Sequence, residues 1–173
     1  STVRAAIDAG INLIDTSDNY GVPHGLSEMR LKSALAGIRH RVHVVSKVGN
    51  WGGRSGQTLL YTTPDITRLC CHASLGRLGT DWIDVLLCHQ GNINDPSVFL
   101  EGFRQLKKEG AIREYGISTN NLDVLKRFND DGQCAVVELE YSLINRKAEK
   151  DILPYCQENR IGVLIRGPLS KGL

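Results

Sequence analysis

Apolar, β-branched runs alternate along the chain with stretches whose apolar residues follow helical spacing. The strand-like runs cover 11–15, 42–47, 83–89, 113–119, 135–142 and 161–169; the helical patterns cover 27–38, 62–79, 95–112, 122–130 and 148–160, after a helical fragment at the N-terminal end. This strict alternation predicts an α/β fold, a parallel sheet with helices outside it. A doubly wound sheet and a (β/α)8 barrel share that order. The first strand-to-helix turn has no G-x-G-x-x-G, which disfavours the doubly wound dinucleotide fold.

Proline positions refine the helix boundaries. Thr63 is a plausible N-cap with Pro64 at the first helical position. Asp95 and Pro96 are predicted to open the next helix in the same way, and Pro154 is a possible kink in the last one. No linker or low-complexity segment interrupts the pattern, so residues 1–173 are predicted to form a single domain.

Polar residues end the strand-like runs. They are Asp15, Lys47, His89, Ser118 with Thr119, Glu138 with Glu140, and Arg166. In a parallel barrel the carboxyl ends of all strands meet at one face, where barrel enzymes carry their chemistry. A single residue of this kind has an ordinary explanation as a solvated turn, an exposed lysine or a core histidine. Their shared register instead favours one active site.

Four of the residues near these ends can perform proton transfer. A lysine ammonium favours the charged form of a nearby phenol, so Tyr20 beside a lysine could act as general acid or base. Asp15 would position Lys47 and keep it charged, while His89 would hydrogen-bond a substrate oxygen. This set suits hydride addition to a carbonyl, and the hydride must come from a cofactor because no side chain supplies one.

The motifs "AIDAGINLIDTSDNYG", "VVSKVG", "SLGRLGTDWIDVLLCHQ", "EYGIST", "VVELEYSLINR" and "GVLIRGPLSKGL" together resemble the aldo-keto reductases. The resemblance runs in order along nearly the whole chain. It implies a (β/α)8 TIM-barrel fold and the reduction of aldehydes or ketones, usually with NADPH (NADH is possible) and without metal. It also implies a catalytic tetrad of Asp15, Tyr20, Lys47 and His89.

The same resemblance implies a cofactor site. Its residues are Ser118 with Thr119 or Asn120 and Glu138 for the nicotinamide carboxamide, Arg166 under the nicotinamide ring, and Gly167 and Leu169 in "RGPLSKG" for the pyrophosphate path. Two positions depart from the family pattern. Glu138 stands where glutamine is usual, and a carboxylate can accept from the carboxamide NH2 but cannot donate to its oxygen. Thr119 stands where many members have asparagine.

Length is the larger departure, because a barrel of this type needs roughly 250 residues. The chain has 173 and is expected to hold about six βα units, without the first strand and the eighth unit. An open sheet would expose two edges, so three sources for the missing barrel parts stay open: a longer gene product, an oligomer or a partner chain. Two functions therefore stay open: an NADP-dependent carbonyl reductase, or a truncated or catalytically weak relative that serves as a regulatory or binding protein.

Composition and charge limit which classes of partner are expected. The net charge of +2, without blocks of like charge, predicts neither nucleic acid nor an anionic membrane as partner, and no apolar run is long enough for a membrane span. Five cysteines without a C-x-x-C pair indicate reduced thiols and a cytoplasmic location. Asp18 is expected in a solvated or loop-capping role. Trp51, in the loop "GNWGGRSG", is a candidate wall of the substrate pocket.

Overall fold

The computed structural model describes residues 1–53, 56–170 and 172. Within these residues, six strands form one sheet in sequence order, β1-β2-β3-β4-β5-β6, and every neighbouring pair is parallel. The strands are β1 (Leu13–Asp15), β2 (His43–Val48), β3 (Ile83–Cys88), β4 (Ile112–Ser118), β5 (Val136–Glu140) and β6 (Gly162–Arg166). The predicted alternation is confirmed.

Helices connect these strands. They are α1 (Thr2–Asp8), α2 (Leu26–Leu35), α3 (Pro64–Leu78), α4 (Ser97–Glu109), α5 (Leu122–Phe128) and α6 (Ile152–Glu158), with short 3-10 helices at Arg39–Arg41 and Lys147–Lys150. Parallel crossovers are right-handed. Because the strand order never reverses, all the crossovers return on the same face of the sheet. The sheet is therefore covered by helices on that face, as in a barrel.

Of the three predictions about helix boundaries, one is confirmed and two were wrong. Thr63 is the N-cap and Pro64 begins the helix, as predicted, although the Thr63 side chain makes no capping hydrogen bond. The following helix begins at Ser97, one residue after Pro96, because Asp95 Oδ1 accepts from the Ser97 N–H at 2.9 Å in a tight turn. The pattern at 148–160 divides into a 3-10 helix and α6, so Pro154 lies in the first turn of a new helix and kinks nothing.

The core lies under the central strands. β2, β3, β4 and β5 are buried along most of their length, whereas β1 and β6 at the two edges of the described sheet are largely exposed. Phe103 packs its ring against Tyr115 and Phe128, joining α4 and α5 to β4. A buried apolar layer of this kind is the main stabilising contribution and fixes where the strand ends lie.

A charged cluster ties together the amino-terminal ends of β2 and β3. Asp84 accepts from the Val44 N–H at 2.8 Å and from Arg39 Nη2 at 2.6 Å, and Trp82 Nε1 approaches it at 3.3 Å. Burial acts to raise the pKa of Asp84, but the Val44 N–H and Arg39 outweigh it and hold this pKa below its usual range. In barrels this face serves stability rather than chemistry.

Replacing Asp84 with Ala is expected to lower the free energy of unfolding by about 2–3 kcal/mol at neutral pH, because it leaves the buried Val44 N–H without an acceptor and the Arg39 guanidinium without its carboxylate partner. The lowered pKa means that the stabilisation exists above the unfolded-state value of about 3.9 and is lost as pH falls through the folded-state value. Urea unfolding at neutral and acidic pH measures both effects.

Asp65→Ala is the matched control, since Asp65 pairs with Arg68 at the exposed start of α3. It should change the free energy of unfolding by no more than about 1 kcal/mol. Equal losses in the two variants would contradict a special role for Asp84.

Candidate active site

Lys47 is the centre of the polar cluster at the carboxyl ends of the strands. The residue is fully buried near the end of β2. Its Nζ donates to Asp15 Oδ1 at 2.5 Å and to the Thr16 carbonyl at 3.0 Å, and lies 3.1 Å from Glu138 Oε2. Burial acts to lower the pKa of Lys47, but Asp15 and Glu138 together outweigh it and raise this pKa. Lys47 therefore remains an ammonium at neutral pH despite its burial.

Strand pairing brings the lysine and its first carboxylate together. Asp15 pairs with Val45 in the β1–β2 register, and Lys47 lies two residues further along the same face. The chain continues this pairing beyond β1, because the Thr16 N–H donates to the Val45 carbonyl at 2.9 Å and the Asp18 N–H donates to the Lys47 carbonyl at 3.2 Å. The loop after β1 is thus held alongside β2.

Tyr20 lies near the ammonium, and His89 lies beside Tyr20. Lys47 Nζ is 5.1 Å from the centroid of the Tyr20 ring. The Tyr20 and His89 rings meet edge to face, with centroids 6.0 Å apart and an interplanar angle of 78°. The Tyr20 backbone is fixed by the Ser27 N–H, which donates to its carbonyl at 3.1 Å. The structure therefore brings together all four residues predicted as the tetrad.

Glu138 lies beside the tetrad on β5. It pairs with Ser118 in the β4–β5 register and is almost fully buried. Burial raises the pKa of Glu138, with Lys47 opposing and Asp15 reinforcing the shift. Although its Oε2 is within ion-pair distance of Lys47, no donor in the described part of the chain makes an aligned hydrogen bond to that oxygen.

The neighbours of Ser118 are already engaged in the loop after β4. The Thr119 hydroxyl donates to the Gly91 carbonyl at 2.6 Å, and the Thr119 N–H donates to the Glu138 carbonyl at 2.9 Å. Asn120 is exposed, and its Oδ1 accepts from the Glu140 N–H at 2.8 Å. Asn120 and Thr119 thus brace β4 against β5 and hold Ser118 next to Glu138.

The remaining cofactor candidates lie at the end of β6. Arg166 and Gly167 line an open cavity of about 420 Å³ together with Glu140, Ser142, Ile144, Asn145 and Ser170. Leu169 is 78% exposed nearby. Lys171, in the same motif, lies outside the described residues, as do Arg54 and Ser55 in the loop that holds Trp51.

Trp51 faces α3. Its ring lies 5.4 Å from the His24 ring and 5.0 Å from the Arg77 guanidinium carbon, centroid distances that allow edge contact and cation–π attraction. With Asp18, Leu59 and Arg77 it helps to line a cavity of about 170 Å³. A contact between Trp51 and substrate stays a prediction.

The expectation that Asp18 is solvated was wrong, because the residue is fully buried. Burial and the neighbouring Glu28 raise the pKa of Asp18 to about 7.

Sequence reasoning also missed Ser17, whose Oγ lies 3.3 Å from His89 Nδ1. The only sequence signal for Ser17 was its place between Asp15 and Tyr20 in one short loop.

A model of the aldo/keto reductase family matches residues 1–173. This chain belongs to the aldo-keto reductase family. The methylglyoxal reductase YeaE of Escherichia coli is 34% identical over 176 residues, which cover 99% of this chain and 57% of that protein. The chain thus spans little more than half the length of that relative.

Solved aldo-keto reductases share the fold. The holo form of AKR11C1 from Bacillus halodurans superimposes with a TM-score of 0.89 at 33% identity, over 98% of this chain and 56% of that one. An aldo/keto reductase from Klebsiella pneumoniae in complex with NADP and acetate gives a TM-score of 0.84 at 34% identity, over 98% of this chain and 57% of that one. The predicted (β/α)8-type architecture is confirmed as a curled part of such a barrel.

Within the described residues, no group of three or more His, Cys, Asp or Glu side chains is arranged to hold a metal ion. No described helix is both long and apolar enough to cross a bilayer.

Proposed function

We propose that the protein containing this chain reduces aldehyde or ketone carbonyls with NADPH. The observation that carries the proposal is the buried Lys47 ammonium, held between Asp15 and Glu138 and facing the ring of Tyr20. A buried, permanently charged cation beside a phenol has a clear chemical use, the stabilisation of a phenolate. The names of the relatives, a methylglyoxal reductase and a reductase bound to NADP, agree with it.

Tyr20 would act as the general acid. Its phenol gives a proton to the carbonyl oxygen as negative charge develops there, and the nearby Lys47 ammonium stabilises the resulting phenolate. Asp15 holds the ammonium in place through a hydrogen bond of 2.5 Å. His89, edge-on to Tyr20, orients the substrate oxygen by a hydrogen bond. Oxidation of an alcohol uses the same groups in reverse, with Tyr20 as base.

The residues present fit a nicotinamide cofactor. Glu138 Oε2 is buried without an aligned donor, so it can accept from a carboxamide NH2, and Ser118 lies beside it in the register. Arg166 and Gly167 border a cavity of about 420 Å³ that is open enough for the more distant parts of a dinucleotide. The bound nicotinamide would supply the hydride. We propose NADPH because a reductase of similar structure binds NADP; NADH is the second possibility.

The direct test uses the full-length protein, because the chain spans 57% of its methylglyoxal reductase relative. Quenching of intrinsic fluorescence measures the binding of NADPH and, in parallel, NADH. Loss of NADPH absorbance with methylglyoxal and with an aromatic aldehyde measures turnover. Saturable binding with turnover supports the proposal, and absence of NADPH binding contradicts it.

Glu138 also favours a second candidate function, a catalytically weak relative that binds the cofactor for a regulatory purpose. A carboxylate here gives Lys47 a second anionic partner, which competes with the Tyr20 phenolate for the ammonium. The same titrations separate the two functions. Tight NADPH binding without turnover on either carbonyl would favour the regulatory protein.

Replacing Glu138 with Gln is expected to tighten NADPH binding about five- to tenfold at mildly alkaline pH. Glutamine both accepts from the carboxamide NH2 and donates to its oxygen, adding roughly one hydrogen bond. Since burial raises the pKa of Glu138, the parent protein should bind more tightly as pH falls and its carboxyl gains a proton. The Gln variant should lose that pH dependence.

Glu158→Gln, on the exposed surface of α6, is the matched control and should leave the dissociation constant unchanged. Weaker binding in Glu138→Gln than in the parent protein would contradict the placement of the carboxamide against Glu138.

A further inference from the structure

A line of hydrogen bonds leads from His89 into the protein interior. His89 Nδ1 lies 3.3 Å from Ser17 Oγ, and Ser17 Oγ lies 3.2 Å from Asp18 Oδ1. The Asn19 N–H donates to the same Ser17 oxygen at 3.2 Å. Ser17 and Asp18 are both fully buried. The candidate catalytic histidine is therefore connected to a buried carboxyl through a single hydroxyl.

Asp18 faces charged and titratable groups from several elements. Burial of the site, reinforced by Glu28 on α2, raises the pKa of Asp18 to about 7, while Ser17, Arg77 on α3 and the Asn19 N–H oppose the shift. Tyr61 and Cys70 lie within electrostatic range, each with its own pKa raised by burial. Asp18 therefore gains or loses its proton near neutral pH.

The opposing cation near Asp18 is already committed elsewhere. Arg77 Nε donates to Glu28 Oε2 at 2.6 Å, and Arg77 Nη2 donates to Ser74 Oγ at 3.0 Å. Asp18 Oδ2 is buried and, in the described part of the chain, has no aligned donor. This carboxyl is thus hydrogen-bonded to Ser17 through one oxygen. Ser17 in turn contacts His89, so a change in the charge of Asp18 acts on His89 through the serine.

Counting protons along this line gives two states. The Ser17 hydroxyl has one proton to donate, and one of its lone pairs is used by the Asn19 N–H. When Asp18 is ionised, the Ser17 hydroxyl donates to its carboxylate. The other Ser17 lone pair then accepts from His89 Nδ1–H, so in a neutral ring the proton lies on Nδ1 and Nε2 is unprotonated. When Asp18 is protonated, its carboxyl donates to Ser17 Oγ. The Ser17 hydroxyl then donates to an unprotonated His89 Nδ1, and the proton of the neutral ring lies on Nε2. The states differ by one proton, exchanged with solvent.

We propose that Asp18 is a positioning residue that selects, through Ser17 Oγ, which ring nitrogen of His89 carries the proton. This inference rests on the proposed function for its purpose, because the Nε2–H tautomer is the one that can donate to a carbonyl oxygen. Protonation of Asp18 therefore prepares the site for carbonyl reduction. Its ionisation prepares the neutral ring to accept from an alcohol.

Nitrogen-15 NMR of His89 in the full-length protein tests the relay without cofactor or substrate, because ring nitrogen shifts distinguish the tautomers. The signal is assigned by its loss in His89→Asn. Across about pH 6 to 8, the neutral ring of the parent protein should pass from mainly Nε2–H to mainly Nδ1–H. In Ser17→Ala and in Asp18→Asn, the ratio of the two neutral tautomers should stay constant over that range. A constant ratio in the parent protein, or an undiminished change in Ser17→Ala, would overturn the proposal.

Thr67→Val is the matched control, since it removes an equally buried hydroxyl on α3 that has no hydrogen-bond partner in the described part of the chain. Its tautomer ratio should follow that of the parent protein. If Ser17→Ala does not fold, Asp18→Asn, which keeps the side-chain volume, carries the same test.

The pH profile supplies the second readout. For carbonyl reduction, kcat/KM of the parent protein should fall about tenfold as Asp18 ionises, and Ser17→Ala should lose that step. A tautomer change without NADPH-dependent turnover would contradict the proposed reductase activity while supporting the relay. Turnover with a tautomer ratio that does not respond to pH would do the reverse.

Discussion

Replacing Tyr20 with Phe should lower kcat/KM for carbonyl reduction by about a hundred- to ten-thousand-fold. The variant loses only the phenolic O–H, which is the proposed proton donor. The ring itself stays against Lys47 and His89, whose contacts are made with its face and edge. NADPH affinity should therefore be unchanged, and the loss should fall on kcat. Fluorescence titration and steady-state kinetics on the same preparation separate these quantities.

Tyr155→Phe is the matched control. The Tyr155 hydroxyl accepts from Asn129 Nδ2 at 3.2 Å on α6, away from the strand ends that carry the tetrad. It should leave kcat/KM within about twofold of the parent value, as expected of a substitution outside the site. Retained turnover in Tyr20→Phe would contradict the assignment of Tyr20 as general acid.

The pH dependence of these rates has more than one source. Asp18 and Glu138 both have raised pKa values, caused first by burial. Asp18 acts on His89 through Ser17, whereas Glu138 contacts Lys47 directly. Asp18→Asn and Glu138→Gln remove one group each, so their separate profiles assign each ionisation to its residue.

The strand-end residues could be predicted from the sequence because parallel strands place their carboxyl ends together. Asp15, Lys47 and His89 each follow an apolar run, and periodicity alone places them on one face. Tyr20 follows from its distance beyond β1 together with the family resemblance. Its orientation toward Lys47 depends on a backbone hydrogen bond to Ser27, which no local pattern shows.

The burial of Asp18 could not be predicted from its neighbours in sequence. Three residues past a strand end, an aspartate is ordinarily solvated. Here Glu28 and Arg77, which are 49 positions apart and form a partly buried ion pair, both lie near Asp18. The environment of Asp18 is therefore set by the packing of α2 against α3. In this environment the Ser17 hydroxyl contacts both Asp18 and His89.

The start of α4 was also predicted wrongly from the sequence, by one residue. Asp95-Pro96 and Thr63-Pro64 look alike in sequence, but the Asp95 carboxylate accepts from the Ser97 N–H and delays the helix by one residue. The Thr63 hydroxyl makes no such bond. Turn chemistry of this sort competes with helix initiation, and its outcome depends on side-chain geometry rather than on residue type.

Lys47→Met should be the most destabilising substitution at the site. Lys47 is fully buried, and its ammonium neutralises Glu138, which is 5% exposed, as well as the more exposed Asp15. Methionine fills a similar volume but leaves the Glu138 carboxylate buried and uncompensated. Breaking a buried pair in this way costs about 3–5 kcal/mol. Urea unfolding of the full-length variant at neutral pH measures the loss.

The pH dependence of that loss has a definite sign. Without the ammonium, nothing opposes the burial that already raises the pKa of Glu138. A carboxyl with a folded-state pKa above its unfolded value of about 4.3 destabilises the protein when ionised, so Lys47→Met should regain stability as pH falls through the folded-state value. Adding Glu138→Gln should restore most of the loss at neutral pH, because it removes the unpaired charge.

Lys108→Met provides the control, since Lys108 lies on the exposed face of α4. Its free energy of unfolding should stay within about 0.5 kcal/mol of the parent value. If Lys47→Met unfolds at the same urea concentration as the parent protein, then Lys47 and Glu138 do not form the compensated pair seen here. A double variant no more stable than Lys47→Met alone would show that the lost stability lies with Asp15 or with packing rather than with Glu138.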